Sequence, residues 1–285
     1  MTNDAGRSVA VTGAGSGLGR DISLGLAAKG YRVFGTAGAQ EEITDLRDAS
    51  GGNVALTQVD ITDGAAVKQW AEQVAGETGG SLDLLINNAG ILTPGPLELL
   101  PLDAIRREFE VNTFGPLTVI NAFLPALRSA RGRIVQISTV TASMPLPFNG
   151  PSGASKAAVE VFATIYRAEL RQTGVDVVIV EPGNMVTGGP AKSAAALARV
   201  SEGMTPEQRA LYGESFDTFA SAFNAGQSSG LASQEAARRI IAIAEQNPAP
   251  ILATVGDDAA EWYRVATEES LAEQDAFRVR LVGLD

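Results

Sequence analysis

The sequence predicts a doubly wound, parallel α/β sheet in a single domain, and three observations carry that expectation. Short β-branched runs alternate with longer amphipathic stretches over the first two thirds of the chain, the rhythm of parallel strands joined by crossover helices. A glycine-rich turn, Thr12-Gly13-Ala14-Gly15-Ser16-Gly17-Leu18-Gly19, follows the first run and opens the first helical stretch. A length of 285 residues supports one large domain with a well-buried core, and nothing in the chain demands a second.

Taken in order, strands are expected at 8–11, 31–34, 54–57, 82–86, 133–137 and 175–180, where Val, Ile and Leu cluster between turn residues. Between them lie helical segments near 17–29, 63–78, 102–129 and 152–173, each opening or closing on Gly, Asp or Pro. The rhythm breaks after Pro182-Gly183. Residues 188–230 are rich in Ala, Ser and Gly, which suits a flap over a substrate cleft and equally an ordinary surface insertion. A helix near 233–246, a short strand at 251–254 and a terminal helix from 257 complete the domain, with Trp70 and Trp262 as packing residues on amphipathic helices.

Composition excludes several functions. The net charge of −11, with no run of Lys or Arg, would repel a phosphate backbone, so no nucleic-acid partner is expected. The chain has neither cysteine nor histidine, which removes disulfides, thiolate chemistry and the commonest metal ligand and general base; no metal site is expected. Catalysis must rest on hydroxyls, Lys, carboxylates, amides or a cofactor. The first residues lack the regions of a signal peptide and no apolar stretch reaches bilayer length, so a soluble, cytoplasmic protein without membrane attachment is expected.

The glycine turn stands where a doubly wound sheet binds a dinucleotide pyrophosphate. Glycines there let the backbone approach the phosphates, whose charge a helix N-terminus favours; a tight turn without a ligand is the plainer alternative. Asp60-Ile61-Thr62, past the third strand, places a carboxylate where it could accept from an adenine amino group. Asn87-Asn88-Ala89-Gly90, past the fourth, supplies amides and small residues to the same crevice. Either segment alone could be turn chemistry.

With these segments in place the chain resembles the short-chain dehydrogenase/reductase family, over residues 7 to 187. The matching positions are Thr12, Gly13, Gly17 and Gly19, Asp60, the block from Asn87 to Gly90, Asn112, Lys156, and Pro182-Gly183 with Thr187. The resemblance implies a Rossmann-type sheet and a nicotinamide cofactor contacted by Thr12, Gly13, Ser16, Gly17, Leu18, Gly19, Thr36, Gly38, Asp60, Ile61, Asn88, Ala89, Gly90, Lys156, Pro182, Gly183 and Thr187. It implies oxidation of an alcohol or reduction of a ketone, in which a Tyr exchanges the proton, a Lys binds ribose and lowers the Tyr pKa, a Ser holds the substrate oxygen and an Asn supports a water relay. Segments 30–36 and 145–150 look most like members acting on lipophilic alcohols and ketones, steroid-type and retinol-type enzymes among them. Helices 102–129 and 152–173 carry small apolar residues, such as Ala157, Ala158, Val161 and Phe162; in the family they pair across a subunit interface, which implies a homodimer or homotetramer.

The catalytic positions fall on Asn112, Thr139, Ser152 and Lys156, and one departs sharply. In Asn149-Gly150-Pro151-Ser152-Gly153-Ala154-Ser155-Lys156, Ser152 stands where the family has its Tyr, one helical turn before Lys156. A phenol of pKa about 10 can be tuned toward neutrality, whereas an aliphatic hydroxyl is far too weak an acid and falls several ångströms short. Thr139, thirteen positions earlier, replaces the family's Ser and keeps a hydroxyl, while Ser138 is expected to point the other way. Severe impairment of hydride transfer is expected. At the adenosine end, Ala37 and Gly38 offer neither the acid that binds NAD ribose nor the Arg that holds a 2′-phosphate; with Ser16 and Thr36 as donors the pattern leans to NADP over NAD. Two other readings stay open: a non-redox cyclisation, elimination or isomerisation on the same fold, with Tyr212 supplying a phenol, or a nucleotide-sensing scaffold without chemistry.

Overall fold

The computed structural model of the protein describes residues 6–186 and 190–284. Its strands are β1 (Ser8–Val11), β2 (Arg32–Ala37), β3 (Val54–Gln58), β4 (Leu84–Asn87), β5 (Arg133–Ile137) and β6 (Asp176–Pro182), followed by β7 (Met185–Val186), β8 (Leu231–Ala232) and β9 (Leu252–Val255). Seven of them form one parallel sheet in the order β3-β2-β1-β4-β5-β6-β9, while β7 and β8 pair separately. Val11 at the end of β1 pairs with Gly35 of β2 on one side and Ile86 of β4 on the other. The chain therefore reverses its direction of winding between β1 and β4, and a crevice opens there at the carboxyl ends of the strands.

The helices are α1 (Gly17–Ala28), α2 (Gln40–Ala49), α3 (Gly64–Thr78), α4 (Leu102–Phe109), α5 (Gly115–Ala130), α6 (Val140–Ser143), α7 (Gly150–Leu170), α8 (Pro190–Glu202), α9 (Pro206–Gln208), α10 (Glu214–Ser229), α11 (Ser233–Glu245), α12 (Asp257–Glu268) and α13 (Leu271–Leu281). Side chains alternate along each strand, so two cores form. Val9, Val11, Ile86 and Val135 face Ile22 and Leu26 of α1 and Ile240 of α11. Ala10, Phe34, Leu85 and Ile134 face Trp70 of α3 and Phe123 and Leu127 of α5, with Trp70 edge-on to Phe123 at 4.8 Å between centroids. Each such large side chain contributes about 1.5–3 kcal/mol on burial. A third cluster, centred on Leu146, Leu197, Phe216, Phe219 and Val282, ties α8, α10 and the C-terminal end to the segment before α7.

Several expectations shift. The stretch between β2 and β3 holds α2, whose polar sequence buries Leu46 alone and so gives little apolar periodicity. The helix expected over 102–129 is present as one continuous run, with a π-helical turn, Glu110–Phe114, set between α4 and α5. Pro116 accounts for the π turn: it has no N–H to satisfy the carbonyl of Asn112, and the Gly115 N–H instead reaches back five residues to Glu110. The terminal helix divides at Ser270, whose hydroxyl caps α13 together with Glu273. Residues 190–229, within the expected flap, are largely helical.

Candidate active site

At the end of β1, Thr12 is buried and its Oγ1 accepts from Asn88 N at 2.9 Å and Ala89 N at 3.1 Å, joining the β1 and β4 ends. The Asn88 Nδ2 donates to the carbonyls of Thr12 and Gly13. Gly13 takes a left-handed φ of +63° and donates its N–H to Thr36 Oγ1 at 3.0 Å, so Thr36 braces the turn from β2. A methyl group at Gly19 would collide with the Gly13 carbonyl and stand 2.5 Å from Asn88 Nδ2. Gly13, Gly15 and Gly19 are thus packed so closely that a side chain at any of them would be strained or collide. Ser16 is the exposed N-cap of α1, its hydroxyl caps nothing and the first turn carries no acid. The first N–H groups of α1, those of Gly17, Leu18 and Gly19, have no helical partner at the carboxyl end of β1, and such a helix start favours an anion.

The next stretch of the crevice is built by the ends of β2 and β3. Asp60 Oδ1 accepts from the Thr62 N–H at 2.9 Å and the Thr62 hydroxyl at 2.8 Å, and Oδ2 pairs with Arg107 at 3.0 Å. The Thr62 bonds, then Arg107, hold this carboxyl below its usual range. Ile61 is buried against Gly115, where a methyl would come within 2.7 Å of Ile61 Cδ1. Glu42, from α2, was not foreseen: its Oε2 accepts from Gly38 N at 3.1 Å, and its side chain covers Gly15, where a methyl would lie 2.8 Å from Glu42 Cβ.

Past β4 and β5 the groups expected to act in catalysis converge. Asn112, in the π turn, is fully buried; Oδ1 accepts from Ile91 N at 2.9 Å and Nδ2 donates to Ile91 O at 3.0 Å and Ser155 Oγ at 3.1 Å. The Thr113 hydroxyl donates to Ser155 O at 2.8 Å, so the π turn is fastened to α7. A methyl on Gly90 would stand 3.2 Å from Asn112 Oδ1 and 3.4 Å from Lys156 Nζ, which places all three residues at one point. The Lys156 ammonium donates to Ile137 O at 3.0 Å; burial pushes its pKa down to about 8, against the pull of Glu160 and Glu108.

Thr139 caps α6, and its Oγ1 accepts from both the N–H and the hydroxyl of Thr141 at 3.3 Å, leaving its own O–H free to donate. Thr139 and Ser152 line one cavity of about 490 Å³ with Asn149, Gly183, Asn184, Met185 and Asp258; Leu146, Phe223, Trp262, Leu281 and Val282 supply apolar walls. Ser138 is buried, outside the cavity lining and beside Glu160. Behind this wall Glu181 is fully buried, with Oε1 accepting from Ser143 Oγ at 2.7 Å. Burial, then the neighbouring Glu160 carboxyl, raises Glu181 to about 8; burial likewise raises Glu160.

The structure brings together Thr12, Gly13, Gly19, Thr36, Asn88 and Ala89 at one end of the crevice and Gly90, Asn112, Thr139, Ser152 and Lys156 toward the other. Pro182 ends β6, and Gly183 follows it with its N–H on Val255 O at 3.0 Å, where a methyl would strike the Asp258 carboxylate. Thr187 lies outside the described residues. Tyr212 is outside the cavity lining: its hydroxyl donates to Glu98, a bond that raises its pKa. Trp262 does more than pack, since it lines the cavity. Sequence reasoning missed Glu42 and the Glu160–Glu181 pair, which only tertiary structure brings into place.

Fold and crevice define a doubly wound, Rossmann-type α/β protein with a cavity lined by residues that follow β5 and β6. The short chain dehydrogenase family model matches residues 7–197, and the chain belongs to that family. It is 35% identical to a 3-ketodihydrosphingosine reductase of Bacteroides thetaiotaomicron over 63% of this chain, a match that spans 64% of that enzyme's length. With retinol dehydrogenase 5 of Mus musculus it shares 36% identity over 73% of this chain and 67% of the relative. A short chain dehydrogenase from Burkholderia cenocepacia, solved in complex with NADP, superposes with a TM-score of 0.72 at 28% identity, covering 97% of both chains. Among the described residues no helix is long and apolar enough to cross a membrane.

Proposed function

We propose that the protein is a nicotinamide-dinucleotide-binding oxidoreductase scaffold for a lipophilic secondary alcohol and its ketone, with turnover severely slowed by Ser152. The observation that carries this reading is the convergence of Asn112, Lys156 and Gly90 beside a cavity that Thr139 and Ser152 share. The start of α1 fits the pyrophosphate, and Lys156 with the end of β4 would hold the ribose next to the nicotinamide. When bound, the cofactor supplies or accepts hydride. Thr139 aims a hydroxyl proton at the substrate oxygen, and the apolar walls from Leu146 to Val282 hold the lipophilic body and keep water from it. Residues 190–230 then act as the cover, through Phe223 and its neighbours on α10.

Ser152 leaves the proton step without its donor. Its side chain sits on the cavity wall in the first turn of α7, but an aliphatic hydroxyl is too weak an acid to share a proton with the product oxygen. General acid–base assistance is typically worth about 10²- to 10⁴-fold in rate. The test is Ser152→Tyr, with oxidation of NADH and NADPH followed against a panel of lipophilic ketones: a gain of at least about 10²-fold is expected, and equal rates in the two proteins overturn the reading.

A second copy of this chain is the proposed macromolecular partner. Val161, Phe162 and Ile165 on α7 and Phe114 before α5 leave large apolar side chains exposed, 63% in the case of Val161. Such a surface on adjoining helices suits a self-complementary helical interface.

A further inference from the structure

Glu42 is the acid that the end of β2 lacks. Ala37 and Gly38 carry no charge, yet α2 folds back so that the Glu42 carboxylate reaches Gly38 N at 3.1 Å. The Gly38 peptide is held from its other side, its carbonyl accepting from Gln58 Nε2 at 3.1 Å. On the opposite flank the same side chain closes over Gly15 of the phosphate-binding turn. Among the described residues, no Lys or Arg forms an ion pair with Glu42.

A dinucleotide laid along this crevice has its pyrophosphate at the start of α1 and its adenine toward Asp60 and Ile61, so its adenosine ribose must lie between Gly15 and Gly38. We propose that Glu42 selects NAD over NADP by accepting from the ribose hydroxyls and repelling a 2′-phosphate. This rests on the nucleotide-binding reading above and reverses the lean to NADP that residues 37 and 38 give alone. The chemistry is that of any acid at this station: a carboxylate is a good acceptor for a diol, and a phosphate of charge near −2 within a few ångströms of it is repelled. Asp60 does not serve, because its oxygens are committed to Thr62 and Arg107. The plainer role for Glu42, an acid at the third position of α2 reaching back to an N–H before the helix, is kept in a Glu42→Gln protein, which retains the acceptor and loses only the charge.

The experiment is a fluorescence titration of the full chain with NADH and with NADPH, which needs no turnover. The wild type is expected to bind NADH more tightly. Glu42→Gln is expected to move the ratio of the two dissociation constants toward NADPH by about 10- to 100-fold, the scale of removing one like-charge contact. Glu41→Gln, one position away and solvent-exposed, is expected to leave the ratio alone. An unchanged ratio in Glu42→Gln, or tighter NADPH binding by the wild type, overturns the selection while leaving the cofactor reading intact. Binding of neither cofactor overturns both.

Discussion

Replacing Glu181 by Gln is expected to stabilise the fold, and to stabilise it more at pH 7 than at pH 5. Glu181 is fully buried, and burial together with Glu160 raises its pKa from 4.5 to about 8. Between those values the folded chain keeps a proton that the unfolded chain releases, so the unfolded state binds fewer protons and wild-type stability falls as pH rises. The stability this group contributes is complete below 4.5 and lost as pH climbs toward 8. Each pH unit inside the window costs about 1.4 kcal/mol, hence about 3 kcal/mol between pH 5 and 7 as an upper bound. Gln does not titrate and still offers an oxygen to the Ser143 hydroxyl, which lies 2.7 Å from Glu181 Oε1. At roughly 2 °C per kcal/mol for a chain of this size, the melting-temperature advantage of Glu181→Gln should widen by about 6 °C from pH 5 to pH 7. Calorimetric melts of the two proteins at pH 5, 6 and 7 measure this, and a constant offset would refute the reasoning. Lys156 works in the opposite sense in a higher window. Its pKa, lowered from 10.5 to about 8, makes the folded chain give up a proton the unfolded chain keeps, so its contribution rises from pH 8 to 10.5.

Two further outcomes follow from packing. Gly19→Ala places a methyl against the Gly13 carbonyl and 2.5 Å from Asn88 Nδ2, so it should cost about 1–3 kcal/mol in urea unfolding and weaken NADH binding at least about tenfold; unaltered binding would mean that no phosphate sits on this turn. Phe162→Glu combined with Val161→Glu puts charge on an exposed apolar face of α7 and should yield a monomer by light scattering, whereas an oligomer of unchanged mass would place the interface elsewhere.

The parts of the site that were legible in the sequence are those fixed by local chain geometry. Gly13, Gly15 and Gly19 mark the points of the turn that admit no side chain, and the structure shows what one would strike. Asn112 and Lys156 were legible by position in familiar segments, but not the π turn that aims Asn112, because that turn depends on the missing N–H of Pro116 and the tight seat of Gly115 against Ile61. Glu42 was invisible for a different reason: α2 shows one buried side chain and no apolar stripe, so neither the helix nor the direction of its acid could be read. The carboxyl pair joins α7 to β6 across 21 positions of sequence, a proximity set by strand order and helix packing.

Burial of that pair bears on what Ser152 leaves behind. Lys156 retains an ammonium within reach of Gly90 and Asn112, but only 8% of the residue is exposed and its Nζ is bonded to Ile137 O. Burial raises the pKa of Glu160 and of Glu181, whose carboxyls lie beside Ser138 and Ser143 and are not part of the cavity lining. Among the described residues, neither the Lys156 ammonium nor the Glu160 and Glu181 carboxyls line the cavity, so on the proposed reading a proton from Lys156 has to cross the gap that a phenol at position 152 would span. A water held between Thr139 and Ser152, which line one cavity, is the carrier on that reading. On the same reading, the α1 turn and the apolar cavity walls take no part in that step, so binding of NADH or NADPH is expected to persist where turnover is slow.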